Sequence, residues 1–402
     1  MFYIDSCTMR PNHEFANDVI KDAMERGVRV DLVKIREIMD ALTIGSNNCM
    51  MELRKKYGIA NPNSSMQVKD AFMRVIKEED LTHCKVMGKI TFKKEVLVKL
   101  AEIGYDLAKD MLEYRKAKKT LESMTSLLEH CDLNGIIHPV VERGVTNRFN
   151  YSKPALMNIP KALLWDVIVP YKEGNKLYSV DIKQQEPWLL VNMLEIEELQ
   201  ELIAEHKDFY KALYFAAFRE ECTDEQRSEV KRAWNAMSYG ASEPGILQYC
   251  TTFDGRVLYK YFNSIPEYKQ YAGRAYGLAK KNVQRMQTLF GTELYAEEYG
   301  PKLRRVLMNI PIQGTGSDIL AFLIDNFCDT VNRDGYSDVM QIYYTRHDEL
   351  IIEADSKFSE ESMIKYLKDI FEHQIDYWEP FNVEISRVSA MNLEDMGDDT
   401  DE

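Results

Sequence analysis

The segment QIYYTRHDELIIEA, residues 341–354, decides the fold. Apolar and polar residues alternate on both sides of a short polar break, which predicts two antiparallel strands joined by a tight turn. The break is RHDE, residues 346–349. Adjacent carboxylates inside an apolar hairpin are costly to bury unless they are paired or bind a metal ion. The rest of the chain must therefore supply a partner for Asp348 and Glu349.

Length and composition describe an ordinary soluble globular protein. The 402 residues are 45% hydrophobic and 29% charged, which suffices for a substantial core. No apolar run has the length of a membrane span, and the first residues lack the pattern of a signal peptide. The seven cysteines are scattered without a CxxC motif. We expect a cytoplasmic protein with reduced thiols, no zinc site and no membrane partner.

The charge is unevenly distributed along the chain. The net charge of −14 argues against a nucleic-acid partner, because phosphate contacts need Lys and Arg. Residues 83–120, however, contain ten Lys or Arg against five acids, whereas residues 392–402 contain six acids and no base. A local basic arm is compatible with DNA binding. The alternative interpretation is a solvated helix face.

Periodicity predicts helices first and strands later. The chain reads as a mixture of both, so the predicted class is α+β with a sheet at its base. Helices are predicted over 14–58 (interrupted at 27–31), 66–77, 185–220, 224–241, 255–287 and from about 302, a long helical hairpin over 95–130, and strands over 136–142, 176–182, 339–345, 349–354 and 381–388.

A second acidic position follows the predicted strand 176–182. In YSVDIKQQEP, Asp181 lies at the end of the strand and Glu186 in the first turn of a helix. A lone Asp there is usually a helix cap. Together with Asp348 on a neighbouring strand, it would form an oxygen-ligand site suited to Mg²⁺. Two such ions can activate a hydroxyl and stabilise a leaving pyrophosphate.

A cationic helix completes the set. In TDEQRSEVKRAWNAMSYGAS, residues 223–242, Arg227, Lys231, Asn235 and Tyr239 recur every four residues and form one band along a helix. Arg and Lys one turn apart can clamp a triphosphate, and a Tyr can stack on a base. A solvated face with i, i+4 charges is the alternative.

These three segments resemble motifs A, B and C of the family A DNA polymerases, the bacterial DNA polymerase I group with its many phage members. Asp181 and Asp348 match the metal-binding aspartates, and residues 227–240 match R-x3-K-x7-YG. The resemblance implies two Mg²⁺ ions (or Mn²⁺) on these aspartates, with Glu349 as a third catalytic carboxylate behind the metals or on the primer side. The nucleotide-binding residues that it implies are Gln184, Glu186 (which blocks a ribose 2′-hydroxyl), Arg227, Lys231, Asn235 and Tyr239.

Further segments resemble the same family in the same order. They are NIPIQGTGSDI (309–319), RFNYSKPALMNIP (148–160) and the thumb-like LEYRKAKK (112–119). A structural imidazole is the alternative for His347. The DNA-binding residues that the resemblance implies are Arg148, Arg305, Asn309, Gln313, His347, Arg115, Lys118 and Lys119.

The resemblance implies a right-hand polymerase fold, with an antiparallel palm sheet and largely helical fingers and thumb. We expect an N-terminal helical part (1–80), a thumb (81–135), a palm (136–200 and 305–390), fingers (201–304, with the motif B helix at 224–241) and an acidic disordered tail (391–402). There is no room for an exonuclease domain before this core, so any proofreading exonuclease or processivity factor is expected to be a separate protein.

The implied activity is the addition of dNTPs to a primer 3′-hydroxyl on primer-template DNA, in a host cytoplasm if the chain is of phage origin. Three residues depart from the family pattern, namely Ile182, Trp188 and Asn235. Two alternatives remain. A single-subunit phage-type RNA polymerase shares the palm, but Glu186 argues against it. A catalytically inactive nucleic-acid-binding scaffold is disfavoured because Asp181 and Asp348 are both present.

Overall fold

The computed structural model describes residues 10–86, 89–372 and 383–388. No helix in these ranges is long and apolar enough to cross a membrane. The described residues group into two compact units. The first unit draws on residues 10–26, 141–150 and 170–388, and the second on residues 27–140 and 151–169.

Helices and strands are numbered in chain order. The α-helices are α1 (His13–Arg26), α2 (Leu32–Tyr57), α3 (Ser65–Val75), α4 (Lys94–Glu102), α5 (Asp106–Glu129), α6 (Lys161–Val167), α7 (Gln185–Leu194), α8 (Glu197–His206), α9 (Phe209–Phe218), α10 (Asp224–Ser238), α11 (Glu243–Leu247), α12 (Gly255–Ser264), α13 (Pro266–Lys280), α14 (Pro301–Asn309), α15 (Thr315–Arg333) and α16 (Glu360–Phe371). The strands are β1 (Val28–Val30), β2 (Lys85–Val86), β3 (Lys89–Ile90), β4 (Ile136–Ile137), β5 (Val140–Arg143), β6 (Phe149–Ser152), β7 (Ile168–Val169), β8 (Lys176–Ile182), β9 (Arg285–Gln287), β10 (Glu293–Tyr295), β11 (Met340–Arg346), β12 (Glu349–Ala354) and β13 (Val383–Arg387).

The second unit is built around long helices. Asp31 caps α2 by accepting hydrogen bonds from the backbone N–H groups of Val33 and Lys34, and Gly58 ends it at a φ of 71°. α2 and α4 pack against α5. Leucines and aromatics fill the core, where the rings of Phe72 and Phe92 stack with their centroids 4.3 Å apart. β1 pairs with β4 and β7, which accounts for the interruption in the helical pattern at 27–31.

A four-stranded antiparallel sheet organises the first unit. Its strand order is β11-β12-β8-β13. Leu350 on β12 lies opposite Val180 on β8, and Val383 on β13 lies opposite Ile182. Every residue of β12 is buried, as expected of a central strand covered on both faces. The end of β8 therefore lies beside the turn between β11 and β12.

Helix α1 connects this sheet to α15. α1 packs on β11 and on α15. Arg26, the last residue of α1, donates a hydrogen bond of 2.6 Å from Nη2 to the carbonyl oxygen of Ile342, beside a bulge in β11. His13 Nε2 lies 2.7 Å from Oδ1 of Asp318, which is buried within α15. The N-terminal helix is thus fixed at both ends to elements formed some 300 residues later.

The predicted helices and strands largely match the described ones. The strand over 176–182 is confirmed as β8, the hairpin as β11 and β12, and the strand near 381–388 as β13. The single helices predicted over 185–220 and 255–287 are wrong. The first range contains three helices, α7, α8 and α9. Pro266 begins a new helix because proline lacks a backbone N–H and clashes with the preceding turn, and residues 285–287 form a strand with β10. The predicted tail at 391–402 lies outside the described residues.

Candidate active site

The end of the sheet brings two predicted carboxylates together. Asp181 is the penultimate residue of β8, and Asp348 is the second residue of the two-residue turn between β11 and β12. The first turn residue, His347, has a φ of 53°, a region in which non-glycine residues are disfavoured. The register of β12 and β8 places this turn next to Asp181.

The charge at this edge is only partly compensated. Burial raises the pKa of Asp348 to about 7; the guanidinium of Arg148 opposes this rise, and the carboxylates of Asp181 and Glu186 add to it. A carboxyl group next to other carboxylates has a raised pKa, because its ionised form is repelled by their negative charges. The edge therefore carries more negative than positive charge when all its carboxyls are ionised.

Glu186, at the start of α7, is the centre of a hydrogen-bond network. Its Oε1 accepts from Nη2 of Arg148 at 2.8 Å and from Nε2 of Gln313 at 3.0 Å. Its Oε2 accepts from the hydroxyl of Tyr239 at the end of α10. Burial opposes the charge on Arg148, but Glu186 and Asp348 outweigh it and raise the pKa of the guanidinium. Three residues predicted from separate motifs thus meet at the carboxylate of Glu186.

A second network lies at the other end of α10. Arg227 donates from Nε and Nη2 to Oδ2 of Asp208, at 2.9 and 2.7 Å. Gln184 donates from Nε2 to the same oxygen at 2.7 Å, and its Oε1 accepts from the backbone N–H of Phe209 at 2.7 Å. Both polar ends of the Gln184 amide are therefore engaged within the protein.

The remaining band of α10 has the predicted orientation. Thr223 caps the helix in a capping box with Gln226, and the helix ends before Gly240, whose φ is 80°. Lys231 and Asn235 are exposed, whereas Trp234, which lies between them in the sequence, is buried. The helix thus presents its polar band outward between the two networks.

Glu349 points into the sheet. Its side chain is 3% exposed and accepts a hydrogen bond from the hydroxyl of Ser179, which is 2% exposed. Ser179 lies two residues before Asp181, so both belong to the same face of β8. Glu349 is thus packed behind the carboxylate edge.

The predicted DNA-binding residues divide by unit. In the first unit, Arg305 is exposed on α14, and Asn309 precedes a π-helical turn, Ile310–Gly314, that contains Gln313. In the second unit, Lys118 pairs with Glu122 at 3.6 Å, and Lys119 is exposed.

Arg115 behaves differently from the other predicted DNA ligands. Its Nη1 donates a hydrogen bond of 2.8 Å to the carbonyl oxygen of Phe92, and burial lowers the pKa of the guanidinium. One N–H group of this guanidinium therefore ties α5 to the loop that precedes α4.

The donor set fits a divalent cation that retains its waters. Among the described residues, no group of three or more His, Cys, Asp or Glu is arranged to hold a metal ion. Asp181 and Asp348 form an oxygen-donor pair with surplus negative charge. Mg²⁺ is usually bound by one or two carboxylates and completes its coordination with water and substrate phosphates. The pair is therefore suited to Mg²⁺ and not to an enclosed transition-metal site.

Sequence reasoning missed two side chains of this region. Ser179 is hidden in an ordinary strand pattern. Asp208 precedes an apolar helical run, and its only sequence signal is that of a helix cap. Nothing in the sequence links either of them to the motif residues that they contact.

The chain is similar in sequence to known DNA polymerases. The model of DNA polymerase family A matches residues 34–390. DNA polymerase I of Aquifex aeolicus is 24% identical over 265 residues, covering 62% of this chain and 45% of that protein. The thermostable DNA polymerase I of Thermus aquaticus is 23% identical over 389 residues, covering 89% of this chain and 45% of that protein. The chain thus spans less than half the length of either relative.

A solved structure has the same fold. The POL domain of Pol1 from M. smegmatis, in complex with DNA primer-template and dNTP, superposes with a TM-score of 0.77 at 22% identity. The match covers 92% of this chain and 68% of that chain. The predicted right-hand fold, with its antiparallel sheet and helical remainder, is confirmed.

Proposed function

Because the chain belongs to DNA polymerase family A, we propose that it adds dNTPs to a primer 3′-hydroxyl under the direction of a DNA template. The observation that carries the proposal is the carboxylate edge of the sheet. Asp181 and Asp348 interact electrostatically there, since Asp181 raises the pKa of Asp348. The carboxylate of Glu186 accepts a hydrogen bond from Tyr239 at the end of α10. The M. smegmatis domain was solved with primer-template and dNTP, and we propose the same ligands here.

In this proposal Asp181 and Asp348 hold two Mg²⁺ ions, a role that Mn²⁺ can also fill. When bound, Mg²⁺ would supply Lewis-acid chemistry that lowers the pKa of the primer 3′-hydroxyl and stabilises the negative charge on the leaving pyrophosphate. Burial raises the pKa of Asp348, and the neighbouring carboxylates of Asp181 and Glu186 add to the rise, which supports this assignment. The guanidinium of Arg148 lowers the pKa of Asp348, which favours the ionised carboxylate even without a metal ion.

The polar band of α10 would bind the nucleotide. Lys231 is exposed for the phosphates, and Arg227 retains three N–H donors beyond the two that Asp208 accepts. Glu186 would exclude a ribose 2′-hydroxyl, since the bulk and charge of its carboxylate are fixed by Arg148, Gln313 and Tyr239. Catalysis in such a site is mainly positioning and electrostatic stabilisation.

Contacts to DNA are proposed for both units. Arg148, Arg305, Asn309, Gln313 and His347 would meet the primer-template in the first unit. Lys118 and Lys119 would meet phosphates from the second unit, where Arg115 also supports the thumb helix through Phe92. The division into thumb, palm and fingers belongs to this proposal, and the expectation of a separate exonuclease or processivity factor stays a prediction.

Primer extension tests the proposal. The protein is incubated with Mg²⁺ and a DNA primer-template, with dNTPs and rNTPs in parallel reactions. We expect extension with dNTPs alone, and a gain of rNTP incorporation of about 10-fold or more in Glu186→Ala, because the carboxylate no longer fills the space beside the sugar.

Each outcome separates the candidates. Extension by the wild type with rNTPs would support the RNA polymerase alternative. No extension with either, while primer-template is still bound, would support the inactive scaffold. Unchanged sugar selectivity in Glu186→Ala, with dNTP extension retained, would mean that another residue excludes the 2′-hydroxyl.

A further inference from the structure

Asp208 accepts an unusual number of hydrogen bonds for a helix cap. Its Oδ1 accepts from the backbone N–H of Lys211 at 2.9 Å, which caps α9. Its Oδ2 accepts three more, two from Arg227 and one from Gln184. A cap needs only the first of these contacts. The other three tie two separate segments of the first unit to one oxygen.

The carboxylate of Asp208 stays charged in this position. Burial alone would raise the pKa of Asp208, but the hydrogen bonds from Arg227 and from the backbone of Lys211 outweigh it and lower the pKa. The side chain of Asp208 is 14% exposed and that of Arg227 is 30% exposed. The ion pair is thus largely withdrawn from water on the Asp side and accessible on the Arg side.

The guanidinium of Arg227 is oriented from two directions. Asp208 takes Nε and Nη2, and the ring of Tyr210 lies 5.2 Å from the Cζ atom, within range of a cation–π contact. A guanidinium has five N–H donors in a fixed plane, so three remain for another anion. The ion pair with Asp208 therefore leaves three N–H donors of Arg227 available to bind another anion.

Gln184 links this pair to the carboxylate edge. It precedes α7 in the segment that carries Asp181 and Glu186, and its φ is 53°. Its amide bridges the carboxylate of Asp208 and the backbone N–H of Phe209. Gln184 therefore fixes the position of Arg227 relative to the segment that carries Asp181 and Glu186.

We propose that Asp208 is a positioning residue that orients Arg227 towards the triphosphate of the incoming nucleotide, with Gln184 fixing the pair to the β8–α7 segment. The inference rests on the proposed function. Asp208 itself does not touch the nucleotide. Its contribution is to restrict the rotamers of Arg227, so that less side-chain entropy is lost when the phosphates bind.

The substitution Asp208→Asn tests this inference because Asn is also a good helix cap. The variant keeps an acceptor for the N–H of Lys211 and loses the charge that holds Arg227. We expect the KM for dNTP in primer extension to rise about 10-fold, equivalent to ~1.4 kcal/mol, with kcat within about 2-fold. Asp254→Asn is the matched control, since Asp254 caps α12 through the N–H of Arg256 and is exposed.

A double substitution separates positioning from a purely structural role. If Asp208 acts through Arg227, adding Asp208→Asn to Arg227→Ala changes the KM by less than about 2-fold further. Additive effects would overturn the inference, as would an unchanged KM in the single variant. A lower KM in Asp208→Asn would also overturn it, because Asp208 would then compete with the nucleotide for Arg227.

Binding of inorganic tripolyphosphate distinguishes this inference from the proposed function. Calorimetry with the full chain requires no nucleotide addition, so it reports on Arg227 even if no primer is extended. We expect weaker binding in Asp208→Asn than in the wild type and in Asp254→Asn. Equal affinities in all three would contradict the positioning role whatever the activity of the protein.

Discussion

Two carboxylates near opposite ends of β12 have contrasting environments. Glu353 lies within the strand, and Asp348 lies in the turn just before it. Near one end, Glu353 is 1% exposed and accepts hydrogen bonds from the backbone N–H of Lys172 at 2.8 Å, from Asn175 at 3.0 Å and from Gln341 at 2.8 Å. At the other end, burial raises the pKa of Asp348 to about 7, and the carboxylates of Asp181 and Glu186 add to this rise while Arg148 opposes it.

The difference separates structural from functional acids. A buried carboxylate whose acceptor sites are filled by the protein stabilises the fold, and removing it leaves donors unsatisfied. A carboxylate placed among others of its own charge costs stability, and such sites are candidates for ligand binding. The same strand therefore offers a matched pair in which the two roles can be compared.

The largest effect is expected at the end of β12 next to Asp348 and Asp181, where negative charges outnumber positive ones. Asp348→Ala or Asp181→Ala should reduce primer extension at least about 10³-fold, because the remaining carboxylate cannot hold both metal ions. The free energy of unfolding should not fall, since a repulsion is removed. Primer extension and urea denaturation measure the two quantities, and retained extension in either variant would rule out the metal assignment.

At Glu353, where both carboxylate oxygens accept hydrogen bonds, we expect a loss of stability and little change in activity. Glu353→Ala should lower the free energy of unfolding by about 3 kcal/mol, because three donors lose their acceptor. Extension per folded molecule should stay within about 2-fold of the wild type. Urea denaturation followed by far-UV circular dichroism measures the loss. A variant of normal stability with impaired extension would erase the distinction between the two ends.

The pH dependence of stability sharpens the comparison further. The pKa of Asp348 in the folded protein, about 7, lies above the ordinary value of 3.8, so folding favours the protonated acid. With a chelator present, the wild type should therefore lose stability relative to Asp348→Asn as the pH rises from about 4 to 7. At pH 8 we expect the variant to be more stable by about 1–2 kcal/mol, a value discounted for partial solvent screening. Thermal melts at a series of pH values measure the difference, and parallel curves would contradict it.

The smallest effect concerns the turn itself. His347→Gly should raise the free energy of unfolding by about 0.5–1 kcal/mol, because glycine adopts a φ of 53° without a Cβ clash. The same variant decides between the two interpretations of this residue. Lower primer affinity would indicate a primer contact, whereas unchanged affinity would indicate a structural imidazole. His347→Asn is the control, since Asn tolerates this φ and keeps a polar side chain.

Much of the fold could be predicted because its signals are local. The strand 176–182 and the hairpin at 341–354 have period-two patterns, and the capping box at Thr223 marks the start of α10. The break between α12 and α13 was missed because apolar spacing continues through Ile265, although Pro266 signals a new helix start.

The candidate site was predicted only as far as its motifs reach. Asp181, Asp348 and Glu186 follow from the motifs, but Asp208 does not, because a cap motif describes its own helix and not the cation 19 residues away. Arg115 illustrates the opposite limit. Its charge in a basic segment suggested a phosphate contact, and only packing reveals that the guanidinium also supports the carbonyl of Phe92.

The attachment of α1 has a consequence for how the chain is made. His13 and Asp318 are separated by 305 residues, and Arg26 and Ile342 by 316. At a synthesis rate of ~5–20 residues per second, α1 leaves the ribosome roughly 15–60 s before its partners exist. During that time the apolar face formed by Ala16, Ile20, Ala23 and Met24 has nothing to cover it. We therefore expect this apolar face to be buried in its final packing only after β11 and α15 have emerged.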